Sequence, residues 1–268
     1  MSVSEPITGA SVLPVEQRIA DIGMRYTSVV PAGWTGGPTV VAVHGISRNQ
    51  QEHARAFTAA CINAGVALVV PRFSNSGYRG YQRLRPGKRG LSSDQALLAV
   101  LEDLQQRVEV PAFGDLRIFG FSGGAQFAHR FALKHPGRVG RLALASAGFY
   151  TFPNADVRYP YGLATRAKFG RLDPRGFLVP TKVFVGDRDT ERDDDLRVGA
   201  LVDRLQGRNR FERARRYVLA IRSLAGNAGL PPQCSLELLA GCDHEFGICV
   251  DRGKLVDRVL RFLVPETA

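Results

Sequence analysis

Ser122 stands in Gly120-Phe121-Ser122-Gly123-Gly124, a G-x-S-x-G pattern. A short apolar run precedes it and a helical pattern follows. In that setting the serine is pushed out on a sharp strand-to-helix turn, and flanking residues with a Cβ would clash with the adjacent strand and helix. The chemistry this suggests is nucleophilic attack by a hydroxyl. A serine hydroxyl is a poor nucleophile until a base takes its proton, so a base and an acid that orients it should lie elsewhere in the chain.

The sequence holds five histidines. His53 and His129 fall within helical patterns, His135 sits beside Pro136 at a helix end, and His44 closes a strand before Gly45. Only His244, in Ala240-Gly241-Cys242-Asp243-His244, follows a late strand, where the order serine, acid, histidine requires the base. The acid should follow the strand at 182–185. Asp189 is preferred over Asp187, because it lies past the turn of Gly186-Asp187-Arg188-Asp189. Asp193, Asp194 and Asp195 are expected in the first turn of the next helix, where the dipole favours them. An oxyanion would need two backbone donors. The N–H of Gly123, directly after the serine, is one; the N–H of Ile46, in the loop after His44, is the other. His44 then braces that loop and is not a base.

These groups must be held by a scaffold, and the hydrophobic periodicity supplies one. Strands are expected at 24–31, 39–44, 66–73, 116–121, 139–147, 181–186 and 235–240. Helices are expected at 50–64, 94–108, 123–135 and 254–263, with a long one carrying Phe211, Ala214, Val218, Ile221 and Ala225 on one face. Strands alternating with helices imply an α/β fold with a mainly parallel sheet covered on both faces. No linker divides the chain, so residues 1–268 read as a single domain. Two stretches break the alternation, 74–90 and 148–180. Long irregular segments in a compact domain usually serve as functional loops or lids. The second reads as a small cap inserted at about 149–180.

Together these motifs resemble the α/β-hydrolase superfamily over roughly residues 24–263. His44-Gly45, Gly120 to Gly124, Gly186 to Asp189 and His244 occur in that family's order. The loop His44-Gly45-Ile46-Ser47-Arg48-Asn49 is similar to that of the polyhydroxybutyrate-depolymerase-like and feruloyl-esterase-like group. The resemblance implies a carboxylic ester hydrolase working through an acyl-enzyme on Ser122, with His244 as base and Asp189 orienting it. Cleavage of a peptide, thioester or lactone on the same triad is the alternative within enzymes. A non-catalytic binding protein of this fold is the alternative outside them. A serine nucleophile argues against chemistries that need a carboxylate nucleophile. No metal or organic cofactor is implied, and Cys234, Cys242 and His244 fit no standard zinc spacing.

Substrate choice is expected to lie in the two irregular stretches. Tyr78, Tyr81 and Arg83 in the first, and Tyr150, Phe152, Tyr159 and Tyr161 in the second, are the candidate pocket residues. Aromatic rings with an arginine suit an aromatic or acidic acyl group. The formal charge is +11, with basic residues gathered at 72–89, 158–175 and 204–222. These are expected to be solvated faces; the arginines of the last segment are expected to lie on the outside of an amphipathic helix. No nucleic-acid motif accompanies the charge, so no nucleic-acid partner is expected. The partner expected is a small ester-like molecule. No apolar run is long enough to span a bilayer, and no leader with a basic then apolar pattern is visible. Four cysteines without tight C-x-x-C spacing fit a reduced, cytoplasmic protein.

Overall fold

A computed structural model describes residues 13–110 and 113–265. The strands are β1 (Val15–Ile19), β2 (Met24–Val29), β3 (Gly37–Val43), β4 (Ala67–Arg72), β5 (Phe113–Phe121), β6 (Val139–Ala145), β7 (Thr181–Gly186) and β8 (Cys234–Leu239). They form one eight-stranded sheet in the order β1-β2-β4-β3-β5-β6-β7-β8. The β1–β2 and β2–β4 pairs are antiparallel. From β4 to β8 every pairing is parallel. The helices are α1 (Gln50–Asn63), α2 (Ser93–Val108), α3 (Gly123–Lys134), α4 (Ala200–Gln206), α5 (Arg210–Asn227), α6 (Phe246–Asp251) and α7 (Leu255–Leu263).

The central strands alternate their side chains between two buried layers, as a sheet covered on both faces must. Val41 and Val43 of β3 join one core with Leu97, Leu101 and Phe127 of α2 and α3 and Val218 and Ile221 of α5. Val40 and Ala42 join the other with Phe57 of α1, Phe246 of α6 and Val259 and Leu263 of α7. The helical periodicities in the sequence are these two faces.

Three elements escape the sequence pattern. In β1 the charged Glu16 and Arg18 alternate with Val15, Gln17 and Ile19, so polarity hides it; the buried Gln17 amide donates to Ser28 Oγ of β2 at 3.1 Å. α4 and α6 are too short to show a periodicity. The expected helix at Asp193 to Asp195 does not form there. The chain stays irregular until Ala200, and Asp193 instead accepts both guanidinium nitrogens of Arg210, at 2.6 and 2.8 Å. A charge-assisted bidentate pair outweighs the modest gain of placing a carboxylate at a helix start.

The helix α5 corrects a second expectation. Arg210 and Arg213 are fully buried, not solvated. Arg213 donates to the carbonyls of Gly207 and Gly148 and to Asp203 Oδ1. These bonds tie the start of 148–180 to α5. No helix of the described residues is long and apolar enough to cross a membrane.

Between β6 and β7 the chain carries two 3-10 turns, at Ala167–Phe169 and Pro174–Leu178, and an isolated bridge between Arg158 and Ala164. Arg130 of α3 joins this segment to 74–90. Its buried guanidinium donates to Thr151 Oγ1 at 2.9 Å and to the carbonyls of Gln82 and Pro160. Burial pushes it down to about 10, still cationic at neutral pH.

Candidate active site

Ser122 lies between β5 and α3 with φ 51° and ψ −111°, a conformation that costs an L-residue energy and persists only where its surroundings enforce it. The neighbours do enforce it. The Ser122 N–H donates to Ala145 O at 2.8 Å and its carbonyl accepts from Gln126 N at 3.1 Å. At Gly124 an added Cβ would lie 2.0 Å from the carbonyl oxygen of Val43. That oxygen is backbone of a central strand and cannot move aside. Gly124→Ala is therefore expected to lose about 3 kcal/mol or more of stability, read as a lowered denaturant midpoint. A midpoint within about 0.5 kcal/mol of the parent would contradict this packing.

His244 follows β8 and brings Nε2 to 3.1 Å from Ser122 Oγ. Its Nδ1 lies 3.1 Å from Asp189 Oδ2, across 55 residues of chain. A carboxylate can only accept, so Nδ1 carries the proton and Nε2 is left to accept the serine hydroxyl. Asp189 is buried, and Arg210 Nη1 stands 3.6 Å from its other oxygen. Asp187 plays a different part. Its Oδ1 accepts from Gly241 N at 2.8 Å, holding the turn that leads to His244. The two loops pass so closely that a Cβ on Gly186 would lie 2.1 Å from the carbonyl oxygen of Cys242. Arg210 holds Asp193 below the ordinary carboxylate value, chiefly through its hydrogen bonds.

The other four histidines are occupied elsewhere. His44 Nδ1 donates to Gly45 O at 2.8 Å and its Nε2 accepts from Phe73 N at 3.1 Å, which braces the loop. His53 Nδ1 donates to Asn49 O, and the ring stacks on Phe246 at 4.0 Å. His129 donates to Ala125 O and accepts from Thr151 N. His135 Nε2 lies 2.9 Å from Asp94 Oδ2. Burial pushes His44 down to about 4 and His53 down to about 3, from an ordinary 6.5. Between those values and 6.5 the unfolded chain binds protons that the native state refuses. Stability is thus expected to fall as pH drops through this window, by on the order of 3 kcal/mol from His44 alone. Denaturant unfolding at a series of pH values checks it; a flat profile from neutral pH to pH ~4 would contradict it.

Beside the serine, the backbones of Ile46 and Gly123 adjoin: a Cβ on Gly123 would lie 3.3 Å from Ile46 N. Among the described residues, neither N–H donates to a backbone acceptor. A cavity of about 410 Å³ opens over Ser122, lined by Ile46, Arg83, Gln126, Phe149 and Tyr161, with Asp194 and Asp195 also on its wall. Of the expected pocket residues, Arg83 and Tyr161 therefore reach it.

Five do not, because each is committed to packing. Tyr78 is buried and its hydroxyl donates to Ile22 O. Tyr81 is buried against the loop that follows β3, donating to His44 O at 2.7 Å and stacking on Phe73. Tyr150 stacks on Tyr217 at 4.2 Å, and Phe152 packs edge-on to the same ring. The Tyr159 hydroxyl donates to Arg83 O at 2.7 Å, joining the two irregular stretches. Sequence reasoning misses Gln126, Phe149 and Arg210. Gln126 follows Ser122 by one helical turn, so its place on the same face is readable from spacing; the other two depend on tertiary contacts.

No family model matches the chain, and no curated protein matches it in sequence. Solved structures do match. The poly(3-hydroxybutyrate) depolymerase LpqC of Bordetella parapertussis is 23% identical, with a TM-score of 0.73 over 93% of this chain and 88% of that one. The poly(aspartic acid) hydrolase-1 of Sphingomonas sp. KT-1 is 21% identical, with a TM-score of 0.71 over 87% and 93%. A fluorophosphonate-binding serine hydrolase of Staphylococcus aureus is 15% identical, with a TM-score of 0.57 over 95% and 98%. The protein has the α/β-hydrolase fold.

Proposed function

We propose that this protein is a serine hydrolase that cleaves a carboxylic ester through an acyl-enzyme intermediate. The observation that carries the reading is one continuous hydrogen-bonded line, Ser122 to His244 to Asp189, with both links at 3.1 Å. Such distances lie within reach of proton transfer between nucleophile and base.

In this reading Ser122 Oγ attacks the ester carbonyl carbon while His244 Nε2 takes its proton. The carbonyl oxygen becomes an oxyanion facing the N–H groups of Ile46 and Gly123. Because these donors are fixed before the reaction, they stabilise the developing charge without reorganising. Asp189 stabilises the imidazolium and keeps Nδ1 protonated. His244 then protonates the departing alcohol, leaving the acyl group on Ser122. Water, deprotonated by His244, attacks the acyl carbon, and the acid leaves as the serine regains its proton. A cavity of about 410 Å³ suits a small acyl group.

Ester cleavage is the less demanding reaction, because an alkoxide is a far better leaving group than an amide anion, so C–O scission depends less on prior protonation by His244 than C–N scission does. Similarity in fold to a structure named as a poly(3-hydroxybutyrate) depolymerase supports the same bond type. The direct test is labelling by a fluorophosphonate probe followed by peptide mapping, with turnover of short nitrophenyl esters measured beside matched amides, thioesters and lactones. Labelling at Ser122 with esters turned over fastest is expected. Absence of labelling would favour a non-catalytic protein of this fold, and faster amide turnover would replace the bond assignment.

A further inference from the structure

A second, larger cavity of about 1020 Å³ adjoins the one over Ser122. The two share Ile46, Gln82 and Arg83. The larger groove is lined by Arg48, Arg79, Arg83, Arg85 and Lys88 and, among the described residues, by no aspartate or glutamate. A neighbouring depression of about 620 Å³ repeats Arg48 and Arg79 and adds Arg72. The run ends where Glu52 first appears, in the next depression along.

Elsewhere among the described residues, exposed arginines such as Arg55 and Arg138 also lack a carboxylate partner; what sets these six cations apart is that they gather at one groove beside the Ser122 cavity, unlike the paired arginines. Arg107, Arg192, Arg210 and Arg213 each hold a carboxylate partner at 2.6–2.9 Å. Among the described residues, none of the six has one within 4.0 Å. Arg83, at the junction of the two cavities, has a buried Nε with no hydrogen-bond partner. Burial holds its guanidinium below the ordinary value, and Arg85 and Arg197 repel it further. Like charges gathered without counter-charges raise the energy of the free protein, and an anion entering the groove relieves that repulsion.

We propose that this groove binds an acidic chain, the part of the substrate remote from the bond that Ser122 cleaves. The inference rests on the hydrolase reading for its link to Ser122. The groove exceeds what one carboxylate needs, so its ligand carries several anionic groups along its length. Apolar and aromatic contact is scarce. Among the described residues, Ile46 and Pro86 are the apolar side chains of its lining, and no aromatic ring lines it. Single-stranded nucleic acid is gripped by rings that stack on its bases, so a groove that reads charge alone favours a plain polycarboxylate. Polarity also sets direction: Asp194 and Asp195 offset Arg83 and Arg197 on the wall of the Ser122 cavity, whereas among the described residues the groove's other cations have no such offset, so an acidic chain is drawn to the groove.

The test begins with Ser122→Ala protein and fluorescein-labelled oligo-glutamate of about eight residues, long enough in extended form to cross several cations. Anisotropy titrations at low salt and at about 0.3 M salt are compared with oligo-glutamine and oligothymidylate of equal length. Glutamate binding at least about tenfold tighter than glutamine, and lost with salt, is expected. The combined change Arg79→Gln, Arg85→Gln and Lys88→Gln is expected to remove that preference. Equal binding of glutamine, survival of the preference in the triple variant, or tighter binding of oligothymidylate would each overturn the proposal. With wild-type protein, oligo-glutamate is expected to inhibit nitrophenyl ester turnover competitively, and binding without inhibition would detach the groove from the site. If wild type turns over no ester, the hydrolase reading fails while the anisotropy result still decides the groove.

Discussion

Ser122→Ala is expected to lower kcat on short nitrophenyl esters by about 10⁶-fold, to the residual rate that the remaining donors and binding supply. The size follows from the geometry. Without Oγ there is no atom to attack the carbonyl, and His244 Nε2 loses its partner at 3.1 Å. The loss should fall on kcat, because the cavity wall and the N–H groups of Ile46 and Gly123 are untouched. Folding should be unaffected, since alanine meets the same backbone strain at φ 51° and the turn is held by main-chain bonds to Ala145 and Gln126. Initial rates, labelling by a fluorophosphonate and thermal unfolding of the same preparation check this. Activity within about a hundredfold of wild type would exclude Ser122 as the nucleophile.

Asp189→Asn is expected to cost about 10⁴-fold in kcat with little change in fold. An asparagine amide has a donor as well as an acceptor. Turned toward His244, its NH₂ places a donor against Nδ1 and selects the tautomer with the proton on Nε2, which cannot accept from Ser122. The surrounding ion pairing should survive, because Arg210 keeps its two bonds to Asp193 at 2.6 and 2.8 Å. Asp187→Asn is the comparison. That carboxylate accepts one N–H from Gly241, so its loss should be far smaller. Steady-state kinetics of both variants decides the matter. If Asp187→Asn were the more damaging change, the two aspartates would exchange roles.

The elbow is legible in the sequence because its causes are local. A central strand must end and a helix must begin within a few residues, and Gly120, Ser122 and Gly124 are the residues that such a turn permits. The sheet strands are legible for a similar reason: a strand covered on both faces is apolar at every position, as at Val40 to Val43. His244 follows from its place after the last strand. Asp189 can be narrowed only to a choice between two neighbours. The tertiary structure separates them: the loops that follow β7 and β8, packed closely at Gly186 and Cys242, set Asp187 against Gly241 N and Asp189 against the imidazole.

What the sequence determined by itself was therefore the fold and a short list of candidate residues, since strand, helix and turn patterns are written by near neighbours. Only the tertiary structure decided which charges are paired. Arg210 and Arg213 have the helical spacing of a solvated face, yet the docking of α5 buries them against Asp193 and Asp203. Arg79, Arg85 and Lys88 look no different in the sequence, yet among the described residues no acidic side chain is folded against them. An ion pair depends on residues far apart in the chain that the sheet order brings within a few ångströms, and no local pattern records that. The aromatic rings divide in the same way. Tyr161 reaches the cavity over Ser122, whereas Tyr81 and Tyr150 are buried in the core, because a ring's exposure is set by what packs upon it.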